Sequence, residues 1–200
     1  MKPVAARLGT ACLVLLLASC ATPPSPAPEQ GWETHRRQLE AMERWQAEGK
    51  LALRSPTQSE SASFQWRQQD EQTRIELSGP LGANATILNS DGQQLEILQG
   101  SERSVWDLTD PRTLAEDSGW YLPLEALPYW LRGVPAPQYP VEQLELADQR
   151  LVLLAQAGWT VSYEEYAGFD GFALPTRLQI RGQGRSVRLI IRRWSPGSLP

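Results

Sequence analysis

Apolar and polar positions alternate differently along four parts of the chain. Leu13 to Leu17 form a short apolar run behind Lys2 and Arg7, and small residues carry it to Cys20. That run falls far short of the roughly 20 apolar residues a membrane-spanning helix needs. Residues 21–31, ATPPSPAPEQG, place four prolines in their first eight positions, which excludes a helix there. They predict an extended spacer with a reach of roughly 30 Å, at about 3.1 Å per residue. From Trp32 to Glu48 the period becomes helical: Trp32, His35, Leu39, Met42 and Trp45 share one side, and Arg36, Arg37, Glu40, Glu43 and Arg44 the other. Gly49 reads as the stop.

Beyond Lys50 the period shortens to two. Ser61 to Arg67 and Arg74 to Leu77 alternate polar with apolar, and a turn follows at Gly79-Pro80-Leu81-Gly82. Ala85 to Leu88, Leu95 to Leu98 and Ser104 to Trp106 continue the series, joined at Ser90-Asp91-Gly92 and Gly100. Residues 108–140 break the pattern with prolines and a short helix within Leu122 to Leu131 that ends near Gly133. Strands resume over 143–146, 150–154, 159–163, 176–180 and 187–194. One apolar and one wet face per strand describes a single antiparallel sheet with one covered side. The fold class is therefore mainly β, with few helices.

Composition narrows the picture. The basic start and apolar run ahead of Cys20 have the layout of a cleaved secretory leader, whose removal at residues 1–19 takes Lys2 and Arg7 with it and lowers the formal charge from −4 to about −6. An acidic chain of this kind is a poor candidate for nucleic-acid binding, which needs a basic face. Cys12 leaves with the leader, so Cys20 is the one remaining cysteine and no disulfide forms within the domain. About 165 residues remain beyond the proline-rich spacer, enough for one hydrophobic core. Candidate chemistry is sparse. His35 is the single histidine, and no GxSxG, CxxC or HExxH pattern occurs. Glu164 and Glu165 are expected on opposite faces of a strand, and Gly182-Gln183-Gly184 reads as a hairpin turn because no helix follows. No catalytic residue, metal site or cofactor is assigned, and the chain is not read as an enzyme. After Asp170 there is no acidic residue, while Arg177, Arg181, Arg185, Arg188, Arg192 and Arg193 follow. They make either a local positive field that guides an acidic partner or headgroup, or a solvated strand face.

The basic start, apolar run and Leu17-Ala18-Ser19-Cys20 have the layout of a secretory leader and resemble a bacterial lipoprotein signal. Residues 1–19 would then be removed, Cys20 lipidated, and 20–31 left as the tether of a domain at 32–200. Ala21 stands where aspartate commonly marks retention in the inner membrane, which points to the outer membrane. Gly-Trp32-Glu-Thr-His35, Phe64-Gln65-Trp66, Gly79-Pro80-Leu81-Gly82, Leu122-Pro123-Leu124, Trp130-Leu131-Arg132-Gly133, Trp159-Thr-Val161-Ser-Tyr163 and the terminal Arg-Leu-Ile-Ile-Arg-Arg-Trp194 follow in order. Together with the leader, this order resembles the LolB family of outer-membrane lipoprotein receptors.

The resemblance implies a half-open antiparallel barrel of about 10–11 strands, an apolar cavity covered by short helices, and an N-terminal helix. It implies a monomer, lipid-anchored on the periplasmic face of the outer membrane. Its partners would be the periplasmic carrier LolA, acylated lipoproteins and outer-membrane lipid. Alternation places Phe64, Trp66, Ile75, Leu77, Ile87, Leu95, Ile97, Val161 and Tyr163 on the concave face, and Trp130 is added from the mid-chain helix. The same residues also suit a filled core. Pro80, Leu81 and Gly82 form the candidate membrane-insertion loop, in which Leu81 either projects from a turn tip or folds back onto the sheet. The competing function is a structural or assembly lipoprotein that uses the half-barrel as a protein-binding platform.

Overall fold

The computed structural model describes residues 28–82, 85–109 and 122–197. Helix α1 (Pro28–Glu40) leads into β1 (Arg44–Arg54), β2 (Ser59–Gln69), β3 (Gln72–Ser78), β4 (Thr86–Ser90), β5 (Gln94–Gln99) and β6 (Glu102–Asp107). After helix α2 (Leu127–Arg132) come β7 (Val141–Ala147), β8 (Arg150–Gln156), β9 (Trp159–Phe169), β10 (Phe172–Gly182) and β11 (Arg185–Pro196). All eleven strands form one open antiparallel sheet in the order β6-β5-β4-β3-β2-β1-β11-β10-β9-β8-β7. Two meanders are thus joined along a central seam, where the first strand pairs with the last.

Two expectations near the N-terminus need correction. The helix starts at Pro28, inside the expected tether, because proline is tolerated in a first helical turn, where its missing N–H costs nothing. It also stops at Glu40 rather than Glu48. Trp45 and Ala47 are buried between the half-buried Gln46 and Glu48, so this segment obeys a strand period and pairs with both β2 and β11. Gly49 is not a helix stop but part of a β-bulge where the β1–β11 register shifts. A β-carbon there would lie 2.1 Å from the Ile190 carbonyl oxygen, so only glycine fits.

The mid-chain helix is shorter than its apolar pattern, and Pro128 lies in its first turn. It ends at Gly133, whose φ of +82° lets its own N–H and that of Val134 reach the Trp130 and Tyr129 carbonyls. Four hairpins turn through residue pairs with positive φ at both positions: Asp148-Gln149, Ala157-Gly158, Asp170-Gly171 and Gln183-Gly184. Such turns match the twist of the flanking strands. A left-handed conformation costs most residues about 1–2 kcal/mol, and asparagine or aspartate adopts it most readily after glycine.

The covered side of the sheet holds the core. Trp45 stacks between Trp66 and Trp194, with ring centroids 5.7 and 5.2 Å away. Leu154, Val161, Leu178 and Ile180 continue it under α2.

The candidate acyl-chain cavity

The sheet curves around a hollow of about 780 Å³. Its walls come from alternate positions of the central strands: Leu51 and Leu53 on β1, Phe64 and Trp66 on β2, Ile75 and Leu77 on β3, Val187 and Leu189 on β11. Leu127 and Leu131 of α2, with Leu122 before it, line it from the side away from the sheet. Its rim is the β1–β2 hairpin, Gly79 and Pro80, Thr86 and Arg185, so it opens at one end of the strands. A volume of this size is typical of a small-molecule site. A second hollow of about 690 Å³ shares Trp66, Ile75 and Leu88 as wall and opens toward the opposite end, among Glu40, Glu43, Asp70 and Glu71.

Of the residues expected in the cavity, Phe64, Trp66, Ile75 and Leu77 line the apolar hollow. Leu95 instead lines the second one. Ile97 pairs with Leu88 on the covered face and packs against the core without lining either hollow described here. Ile87 is on the other face: it pairs with Glu76 and Leu98, and its neighbour Leu88 takes the inward position beside Ile75. Adjacent apolar residues in β4 give alternation nothing to choose between. Trp130, Val161 and Tyr163 are buried in the core and line neither hollow. The Trp130 indole N–H donates to Gln156 Oε1 at 2.9 Å, and the Tyr163 hydroxyl donates to the Trp130 carbonyl at 2.9 Å. Burial pushes the Tyr163 phenol well above its ordinary pKa. Pro80 to Gly82 form a single 3₁₀ turn closed by a 3.1 Å bond from Gly82 N–H to the Gly79 carbonyl. Cys20, the leader and the side chain of Leu81 lie outside the described residues.

Sequence reasoning missed Leu51, Leu53, Val187 and Leu189, which lie on the two strands of the central seam. Their signal was present, since Val187, Leu189 and Ile191 alternate with Arg188, Ile190 and Arg192. It also missed two buried polar groups that position α2. Gln156 Nε2 donates to the Ala136 and Tyr139 carbonyls, both at 2.8 Å, while its Oε1 also accepts from the Ala136 N–H. The Arg132 guanidinium donates to the carbonyls of Leu39 (2.6 Å) and Met42 (2.8 Å), where α1 ends, and to Pro128 (2.9 Å). Burial lowers its pKa to about 10, so it remains charged at neutral pH.

Glu164 and Glu165 are both exposed, not opposed, because a register shift at Arg177/Leu178 leaves Glu164 unpaired in the ladder. Each holds its own arginine, Glu164 with Arg188 at 2.8 Å and Glu165 with Arg177 at 3.0 Å. Glu48 similarly meets Arg193 at 3.3 Å, so Arg177, Arg188 and Arg193 are each neutralised on the wet face. Among the described residues no group of three acidic, histidine or cysteine side chains is arranged to hold a metal ion.

Comparison with known proteins agrees with this architecture. Residues 43–194 match the family model described as outer membrane lipoprotein LolB. A relative named outer-membrane lipoprotein LolB from Stutzerimonas stutzeri is 36% identical over 197 residues, covering 94% of each chain. One of the same name from Cellvibrio japonicus is 35% identical, covering 93% of this chain and 97% of its own. Among solved structures, a LolA superfamily protein from Nitrosomonas europaea superposes with a TM-score of 0.51 at 13% identity, over 88% of this chain and 96% of its own. A DUF1329 family protein from Desulfovibrio piger gives 0.56 at 9% identity, over 84% and 92%. At those identities the likeness is one of fold.

Proposed function

This chain belongs to the LolB family of outer-membrane lipoproteins, and we propose that it accepts acylated lipoproteins from the periplasmic carrier LolA and inserts them into the outer membrane. The protein is anchored on the periplasmic face through lipidated Cys20, after loss of residues 1–19, and acts as a monomer. The hollow beneath the central strands takes the acyl chains of the arriving lipoprotein. The turn at Pro80, Leu81 and Gly82 meets the bilayer as the cargo leaves.

The observation that carries this reading is an apolar hollow of about 780 Å³ with an open rim. An acyl chain of about fifteen methylenes loses roughly 12 kcal/mol when exposed to water. Transfer must therefore run from one enclosure to the next with no free intermediate, and this hollow supplies the receiving enclosure. The rim includes Pro80, so the exit for the chains and the membrane-insertion loop share one end of the domain. No nucleotide or metal enters the scheme.

The test uses the full acylated chain carrying a hydrophobic fluorescent probe in the hollow. Palmitate should displace the probe. Leu77→Lys puts an ammonium in the wall and should weaken probe binding about tenfold or more, with a melting temperature close to that of the parent. Unchanged probe affinity in that variant, or no displacement by palmitate, would overturn the reading in favour of a protein-binding platform.

A further inference from the structure

The second hollow, of about 690 Å³, has no part in the receptor scheme. Trp66, Ile75 and Leu88 belong to its wall and to that of the first hollow, so an alkyl chain laid against them touches both. Two buried donors join that wall. Trp45 is fully enclosed, and its indole N–H has no hydrogen-bond partner among the described residues. Buried N–H groups are rarely left unpaired, so this one calls for an acceptor. The second donor is the buried Arg132 guanidinium. Its Nε and Nη1 serve the Pro128, Leu39 and Met42 carbonyls, and its Nη2 donates to no described residue.

The mouth of this hollow has the opposite sign. Glu43, Asp70 and Glu71 line it, are exposed, and make no ion pair with a described residue. The Asp70 N–H donates to the Glu43 carbonyl at 3.0 Å, which ties the start of β1 to the β2–β3 turn and holds the three charges at one edge. Aspartate suits its left-handed turn position at 70 (φ 53°). No turn or packing demand asks for glutamate at exposed positions 43 and 71. Like charges gathered without a base repel one another and give the fold nothing. Among the described residues no group of three carboxylates is arranged for a metal ion, so this edge suits a larger organic cation.

From the inside outward the order is an alkyl wall, donors for an anion, and carboxylates for a cation. We infer that the second hollow binds the headgroup of an ethanolamine phospholipid whose acyl chain lies along the shared wall. The phosphate takes the Arg132 Nη2 and the Trp45 N–H, through charge-assisted bonds. The ammonium, with three donors of its own, takes the carboxylates at the mouth. A phospholipid with a glycerol headgroup does not fit this order, because its net negative charge would face the same carboxylates with no cation between them. The inference rests on the reading that the first hollow takes acyl chains, and adds to it a second ligand class at the opposite end of the strands.

The experiment follows the indole N–H signals of the full acylated chain by nuclear magnetic resonance in a neutral maltoside detergent. The Trp45 signal, identified through its contacts with the Trp66 and Trp194 rings, should move downfield as lysophosphatidylethanolamine is added. Lysophosphatidylglycerol should bind about tenfold more weakly, a gap that narrows in about 1 M salt. Glu43→Gln with Glu71→Gln should cut the tenfold preference to about threefold or less. Both side chains are exposed, so the melting temperature and palmitate displacement should stay close to those of the parent. Trilysine, a cation without an alkyl chain, should not compete. Equal affinity for the two lysolipids, a preference that the Gln pair leaves intact, or an unmoved Trp45 signal would overturn the inference. Competition by trilysine as strong as that of the lysolipid would also overturn it, and would assign the mouth to a basic protein partner. Failure of palmitate to displace the probe, with the headgroup preference intact, would defeat the receptor reading alone.

Discussion

At the scale of single residues, two positions bind sequence to structure most tightly. Gly49 has room for a hydrogen and nothing larger, since the Ile190 carbonyl stands against it across the central seam. Gly49→Ala should therefore cost about 2 kcal/mol, seen as a fall of roughly 4–8 °C in melting temperature. Alanine at exposed Gly100, where a β-carbon would meet nothing within 4 Å, isolates the backbone effect of positive φ. His35 is the second position. Its Nε2 is buried without a hydrogen-bond partner, and burial together with the nearby Arg150 holds its pKa below the ordinary 6.5. The unfolded chain thus takes up the proton first as pH falls, so the folded state loses stability from about pH 6.5 downward until the folded ring titrates too. As the only histidine of the chain, it makes a clean test: His35→Asn should flatten the decline in melting temperature between about pH 6.5 and 5.

At the scale of elements, α1 is held to the body by the Arg132 side chain. That one guanidinium serves the Leu39 and Met42 carbonyls, and the positive charge suits a helix C-terminus. Arg132→Met fills similar volume but leaves those acceptors dry, at about 1–3 kcal/mol each. Faster hydrogen exchange in α1, with the β1 and β11 amides unchanged, is the expected outcome. The strands were the most legible elements, because Phe64 and Trp66 or Ile75 and Leu77 alternate with polar neighbours and each pair does share the covered face. Bulges were not legible. The shifts at Glu48/Gly49 and Arg177/Leu178 change which residues face inward without any local change of composition. The start of β1 was misread because Leu39, Met42 and Trp45 satisfy a helical step, and only pairing with β2 and β11 decides that Trp45 belongs to a strand. Nor does alternation tell wall from filler. Val161 and Phe64 are equally apolar, but one is wholly enclosed in the core and the other stands beside open space.

At the scale of the whole molecule, rim, loop and cavity share one end, which separates two steps that a single variant can divide. Leu81→Glu adds a charge to a turn remote from the Trp45–Trp66–Trp194 stack, so palmitate should still displace the probe. Delivery of a lipoprotein into vesicles should fall about tenfold or more, given the cost of carrying a carboxylate into a bilayer. Equal losses in both assays would place Leu81 in the cavity wall instead.

The sheet ends on β6 at one side and β7 at the other. A closed barrel fixes its girth through strand number and stagger. This domain is under no such rule. Its curvature is free to relax or tighten like a cupped palm while every ladder bond between neighbouring strands stays made.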